Sequence, residues 1–358
     1  MNMALYHIFK KNGFLLVVLL ICFFGIKFFT VCSLTDVKEQ NLLDEWVTEC
    51  SRYNYEQVCE YINSIGSNIL INENLDRTVL NQYAKLNTSF RNYKNVNNLI
   101  SFANLHKGEL PIRLPYNYMK QLDFYQNLKF PRLLNEGGLN NYFELQKYNI
   151  VPFITIIIIS FFGGLYYETD MYKCVLTTKK GRKYNNITKL TTISICLIFL
   201  ILNELFDLLY SGLFSDNIVL NASLQSYSYF SNTQMNITIC GCLFFIFFSK
   251  IISLVILGEI TYFISSICRN TRDALIASFS MLLTSFLFGQ ALSETHHYSL
   301  LQFGIVDWKI AIKNTVIFSS LGTNTLLLGS VLLFLIFLFI NLIALSFISK
   351  SRRNKNIS

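Results

Sequence analysis

The chain has 358 residues, of which 52% are hydrophobic and 15% charged, and its formal net charge is +8. Soluble domains carry about 25% charged residues, so this composition excludes an ordinary soluble protein. Several apolar runs reach the roughly 18 residues that a helix needs to cross a bilayer. We therefore predict an all-α integral membrane protein.

Six apolar runs predict six transmembrane helices, because backbone polar groups in lipid must be satisfied within the segment. No run alternates between polar and apolar residues as a barrel strand does. The first run is longer than a signal-peptide core and has no small-residue cleavage site, so we interpret it as an uncleaved anchor. The predicted spans are residues 14–31, 150–166, 190–213, 236–265, 274–292 and 325–348.

Residues 34–149 form a polar insertion after the first span, and we predict a mostly helical extracytoplasmic domain. Apolar residues recur at helical spacing in residues 41–65. Two interpretations stay open: a structured spacer, or a lid or substrate-recognition element. Cys50 and Cys59 would lie roughly 13 Å apart on one continuous helix, which is too far for a disulfide. They could pair only if the helix breaks between them, and we expect free thiols.

The second span is followed by a loop, residues 167–189, with an ordered series of residue types. An acidic pair comes first, then a short stretch with apolar residues at helical spacing, which can dock in a partner's groove. A Thr-Thr-x-x-Gly-Arg sequence and a lysine follow, and we expect Gly181 to permit a sharp reversal. The residues of this series are Glu168, Asp170, Met171, Val175, Leu176, Thr177, Thr178, Gly181, Arg182 and Lys189.

This series resembles the loop that follows the second span in the permease subunits of bacterial type-2 ABC exporters. The chain departs from the family at Met171 and Tyr172, where a glycine is common. Six spans and a large insertion after the first also agree with the family. Residues 293–324, before the last span, match the region that forms outer re-entrant helices in the family.

The resemblance implies a permease that uses this loop to couple transport to a separate ABC ATPase subunit. The chain has no G-x-x-x-x-G-K-[ST] sequence, so we expect no enzymatic activity and no cofactor in this subunit. A second permease copy and membrane lipid are the other expected partners. The implied cargo is amphipathic or hydrophobic, such as a peptide antibiotic or a lipid-like compound. The alternative is a membrane-anchored sensor or immunity protein whose outer domain binds a ligand.

Four ionisable residues lie inside the predicted third and fourth spans, where charges are costly and usually paired or functional. Glu204 and Asp207 share a face of the third span, and Lys250 and Glu259 lie in the fourth. Glu204 and Lys250 lie at similar depths, roughly 21 and 22 Å from the cytoplasmic ends, which predicts a contact between them. This contact either neutralises charge and fixes helix packing or lines a substrate path.

Lysine and arginine in the short loops predict that both termini are cytoplasmic. Only Lys309 and Lys313 fall in the short outer loops. Many Asn, Ile, Lys and Tyr residues indicate AT-rich coding, so we expect a bacterial plasma membrane. The topology explains the positive charge without a nucleic-acid partner, and the adjacent His296 and His297 are too weak a signal for a metal site. The predicted cytoplasmic charges are Lys10, Lys11, Lys173, Lys179, Lys180, Arg182, Lys183, Lys189, Arg269, Arg272, Lys350, Arg352, Arg353 and Lys355.

Overall fold

The computed structural model describes part of the chain, and that part is helical with no β-strand beyond one isolated bridge. The described residues are 14, 17–29, 41–71, 77–106, 123–128, 131–147, 149–168, 179–213, 217–231, 236–268 and 270–281. The helices are α1 (Val17–Phe29), α2 (Asn41–Cys50), α3 (Tyr55–Ile71), α4 (Arg77–Leu105), α5 (Gly137–Lys147), α6 (Val151–Glu168), α7 (Lys179–Tyr210), α8 (Asn217–Asn221), α9 (Ile239–Cys268) and α10 (271–281).

Three described stretches are long and apolar enough to cross a membrane: Gly137–Phe162, Lys189–Tyr210 and Ile239–Ser265. They overlap the second, third and fourth predicted spans. Within the predicted first span, α1 is a shorter apolar helix. Helix α10 covers only the start of the fifth. The rest of the fifth span, the sixth span, residues 293–324 and the two adjacent histidines lie outside the described residues.

Helices α2, α3 and α4, which belong to the predicted insertion, pack around their own apolar cluster, to which Val47, Ile62 and Leu86 contribute. The sequence suggested one helical pattern over residues 41–65, but the helix breaks between α2 and α3. Asn54 and Gln57 cap the start of α3, since each side-chain oxygen accepts a 3.0 Å bond from the other residue's backbone N–H. Because the helix breaks, Cys50 and Cys59 are no longer held apart on one continuous helix. Both thiols are nevertheless free, as expected.

Helices α1, α6, α7 and α9 share a second apolar core, which contains Phe23, Ile158, Phe199 and Leu254. Helix α9 approaches α6 closely at Gly258. A Cβ atom at this position would lie 3.1 Å from Ile159 Cδ1. A small residue therefore sets the spacing of these two helices, as is common where helices pack in membranes.

Helix α7 is longer at its start than the sequence predicted. It begins at Lys179 and runs to Tyr210, so Gly181 lies within its first turn and not at a sharp reversal. The expectation of a reversal at Gly181 is therefore wrong. Lysine and arginine are good helix formers and offset the roughly 1 kcal/mol cost of one helical glycine. At the other end, Gly212 has a φ of +77°, a left-handed conformation that suits glycine after a helix end.

Candidate functional site: a buried charge cluster

A cluster of charged and polar side chains lies buried where α1, α5, α7 and α9 meet. Its members, here called the charge cluster, are Lys27, Tyr142, Gln146, Asn203, Glu204, Asp207 and Lys250. The predicted contact between Glu204 and Lys250 is confirmed: Lys250 Nζ lies 2.6 Å from Glu204 Oε1. The side chains of this pair are 6% and 5% exposed, so each charge is withdrawn from solvent and depends on the other.

A second ion pair joins α1 to α7 in the same cluster. Lys27 Nζ lies 2.6 Å from Asp207 Oδ1, and both side chains are fully buried. Lys27 also lies 3.5 Å from the Leu145 carbonyl at the end of α5. The cluster therefore holds two cations and two anions, which balance. Such balance is what permits four ionisable groups to be buried together.

Two side chains from α5 bond to the ion pairs, and one of them, Gln146, connects the two pairs. Gln146 donates to Glu204 Oε2 at 3.2 Å and to Asp207 Oδ2 at 2.9 Å, and it accepts a bond from Lys250. Tyr142 donates its hydroxyl to Glu204 Oε2 at 2.9 Å. With these bonds each carboxylate oxygen accepts at least one hydrogen bond. A network that is satisfied to this degree makes its members rigid and ties its four helices together.

Asn203 completes the cluster on α7, with its amide directed at the carboxylates. Its Nδ2 lies 3.0 Å from Asp207 Oδ2 and 3.5 Å from Glu204 Oε1. Those acceptors fix the orientation of the amide, because the reversed amide would turn its oxygen toward two anions. Within the described residues, Asn203 Oδ1 is buried without a hydrogen-bond partner, so the site has an unused acceptor beside its two carboxylates.

The other predicted intramembrane charge, Glu259, pairs with Lys189, which lies ten residues after the start of α7. The side chains are 24% and 23% exposed, and Lys189 Nζ also lies 5.5 Å from the centre of the Tyr262 ring. Lys189 and Glu204 are about 22 Å apart along α7. Two ion pairs at well-separated levels therefore fix α7 against α9, and one of them lies where the predicted coupling loop ends.

The described residues include only part of that loop. Helix α6 ends at Glu168, and Gly181 and Arg182 lie in the first turns of α7. The remaining predicted coupling residues, Asp170, Met171, Val175, Leu176, Thr177 and Thr178, lie outside the described residues.

Lys27, Tyr142 and Gln146 were not among the site residues predicted from the sequence. Lys27 could have been predicted, because it is a lysine inside the predicted first span, where charged residues are usually paired or functional. Tyr142 and Gln146 carried none, because both are uncharged and lie in the stretch assigned to the outer insertion. Both lie on α5, which packs on α7 and α9 through the charge cluster.

A pair of 3₁₀ turns between α8 and α9, Leu224–Ser226 and Ser228–Phe230, is here called the connector. Hydrogen bonds join the connector to α4 and to α5. Asn92 of α4 donates to the carbonyls of Gln225 and Ser226 at 3.0 and 3.1 Å. Tyr227 donates to Asn140 of α5 at 2.6 Å. Burial and the nearby Glu136 carboxylate raise the pKa of the Tyr227 phenol, which therefore stays a donor.

Comparison of the chain with protein-family models, with curated proteins and with solved structures found no match in any of the three. Within the described residues, no group of histidine, cysteine, aspartate and glutamate side chains could hold a metal ion.

Proposed function

We propose that the chain is the membrane-spanning permease subunit of an ATP-driven exporter. The observation that carries the proposal is the ordered series from Glu168 to Lys189, which resembles the ATPase-coupling loop of bacterial type-2 ABC permeases. In this proposal the ATPase is a separate subunit, two permease copies assemble, and the cargo is amphipathic or hydrophobic. The protein lies in a bacterial plasma membrane with both termini in the cytoplasm.

The pairing of Lys189 with Glu259 supports this proposal mechanically. Lys189 closes the coupling series, and its partner lies on α9. A push on the loop by an ATPase would thus act on α7 and α9 together. The charge cluster joins the same two helices farther along through Glu204 and Lys250. A movement that starts at one level can therefore change access at the other, as alternating-access transport requires.

The test is purification of the full-length protein from its native membrane in mild detergent, with identification of bound subunits and measurement of ATP hydrolysis. We expect an ATPase subunit to co-purify. We expect the double variant Met171→Ala and Leu176→Ala to lose that subunit, whereas Lys309→Ala, in a predicted outer loop, keeps it. Retention of full transport after removal of residues 170–178 would refute the assignment, as would labelling of those residues from the cell exterior.

A further inference from the structure

Helix α5 contacts the connector at one end and the charge cluster at the other. At its start, Glu136 accepts bonds from the backbone N–H and the hydroxyl of Ser228, the first at 2.8 Å. Near its end, Gln146 bonds both carboxylates and Lys250. Glu136 and Gln146 are about 15 Å apart along the helix. One short helix therefore carries bonds to both regions.

The packing of α5 favours its movement as a single body. Phe143 stacks on Tyr227 of the connector, with ring centres 6.1 Å apart and planes 7° apart. At Gly138 the helix backbone approaches the end of α7 so closely that a Cβ atom would lie 3.1 Å from the Ser211 carbonyl oxygen. Close contact along its length leaves the helix little freedom to bend, so a shift at one end is carried to the other.

The connector is in turn bound to the outer helices. Asn92 of α4 bonds two of its carbonyls, and the backbone N–H of Arg132 donates to Ser226 Oγ at 3.0 Å. Asn135, just before α5, donates to Asp44 of α2. Hydrogen bonds therefore run from α4 through the connector to α5, and from α2 directly to the start of α5, and α5 bonds to the two ion pairs.

The charge cluster itself does not have the character of an ion-binding site. Its two cations balance its two anions, and each carboxylate oxygen already accepts a bond. An entering ion would have to displace a buried lysine, which would leave that charge buried and unpaired. The cluster is better suited to respond to movement of the helices that carry it.

We propose that α5 is a coupling element through which the outer domain controls the pairing of Lys250 with Glu204. Movement of α2, α3 and α4 shifts the connector, and α5 passes that shift to Gln146. The interaction between α7 and α9 then changes. This inference does not depend on an ATPase, and it makes the outer domain a regulator of the membrane helices instead of a passive spacer.

The test uses the full-length protein in lipid nanodiscs and measures backbone amide exchange in the connector. Gln146→Leu removes the bonds to the charge cluster and leaves the connector's own residues unchanged. We expect amide exchange in residues 224–230 to rise about tenfold or more, because release of α5 lowers the free energy of local opening. The matched control is Gln57→Leu, which removes an exposed amide that caps α3, and it should leave the connector unchanged.

A double-mutant cycle that combines Glu136→Gln with Gln146→Leu measures the coupling between the two ends of α5. Substitutions this far apart normally act additively, within about twofold in an equilibrium constant. If α5 couples its two ends, the second substitution should cost less than it does alone, with a departure of more than about threefold in the unfolding equilibrium. Gln146→Asn, which keeps an amide, serves if the leucine variant does not fold. An additive cycle, or connector exchange unaffected by both Gln146 variants, overturns the proposal.

Discussion

Lys27 and Asp207 lie 180 positions apart in the chain, yet their side chains form a fully buried ion pair with a 2.6 Å separation. The pair ties α1 to α7. Phe23 supports it one turn earlier on α1, where its ring lies edge-on to Phe199 of α7 at 6.1 Å between ring centres. Helix α1 is therefore part of the packed bundle and does more than anchor the chain.

Removal of one member of this pair should destabilise the protein strongly. Lys27→Met leaves Asp207 buried without its cation, and loss of one partner of a buried pair costs about 3–5 kcal/mol. We expect a large drop in the amount of monodisperse protein in detergent and in its unfolding temperature. The double variant Lys27→Met and Asp207→Leu removes both charges and should recover much of the loss. A single variant as stable as the parent would show that the pair contributes little.

Lys250→Met tests whether the second pair fixes packing or lines a transport path. If the pair with Glu204 holds α7 and α9 together, the variant should assemble poorly, and Glu204→Gln in the same background should restore part of the yield. If the pair serves the substrate path instead, assembly stays normal and only transport falls. Size-exclusion chromatography and a transport assay on the same preparations separate the two. Normal assembly and normal transport together would reject both roles.

The sequence was sufficient to predict the contact between Glu204 and Lys250, because ionisable residues are rare in apolar spans and their depths can be counted. The same rule pointed to Lys27, but its partner could not be identified, since the depth of α1 relative to α7 depends on packing. The role of Gln146 was beyond prediction. An uncharged side chain in a polar stretch gives no sign that its helix packs against the membrane helices.

The sequence pattern also failed to predict two helix boundaries, the break between α2 and α3 and the start of α7. The apolar spacing in residues 41–65 continues across the break between α2 and α3, because both helices bury residues in the same core. The caps formed by Asn54 and Gln57 decide the break. At Gly181 the intrinsic preference of glycine for turns gave the wrong answer, because the good helix formers around it continue α7 to Lys179.

The pair of Lys189 and Glu259 should contribute less to stability than the buried pairs. Its side chains are 23% and 24% exposed, so removal of one partner leaves the other charge less enclosed by protein than in the two buried pairs, and the loss of stability is smaller. We expect Glu259→Gln to lower the unfolding temperature only slightly, whereas Lys27→Met lowers it severely under the same conditions. Comparison of the two variants by thermal unfolding in one detergent is the measurement. If the two variants lowered the unfolding temperature equally, the exposure of an ion pair would not determine its contribution to stability.

Gly258→Val should force α9 away from α6. The first added carbon lies 3.1 Å from Ile159 Cδ1 and 3.6 Å from Ile193 Cγ1, and overpacking of this kind costs about 1–3 kcal/mol. Ile159→Val in the same background makes room and should restore part of the stability. Gly25→Val on α1 is the matched control, since within the described residues nothing lies within 4 Å of a Cβ atom there. A control as damaging as Gly258→Val would point to valine's helix propensity as the cause.

The Cys50 thiol should resist alkylation until the pH is high. Burial, and secondarily the charge of Glu49, raises its pKa from 9.0 to about 11, and only the thiolate reacts. The folded state thus binds the proton more tightly than the unfolded state, so this group's contribution to stability is complete below pH 9 and declines as the pH rises toward 11. Iodoacetamide labelling read by mass spectrometry should find Cys50 protected at pH 8 in the folded protein and modified at the same pH once the protein is denatured. Rapid labelling of Cys50 at pH 8 without denaturant would show that the core of α2, α3 and α4 opens readily.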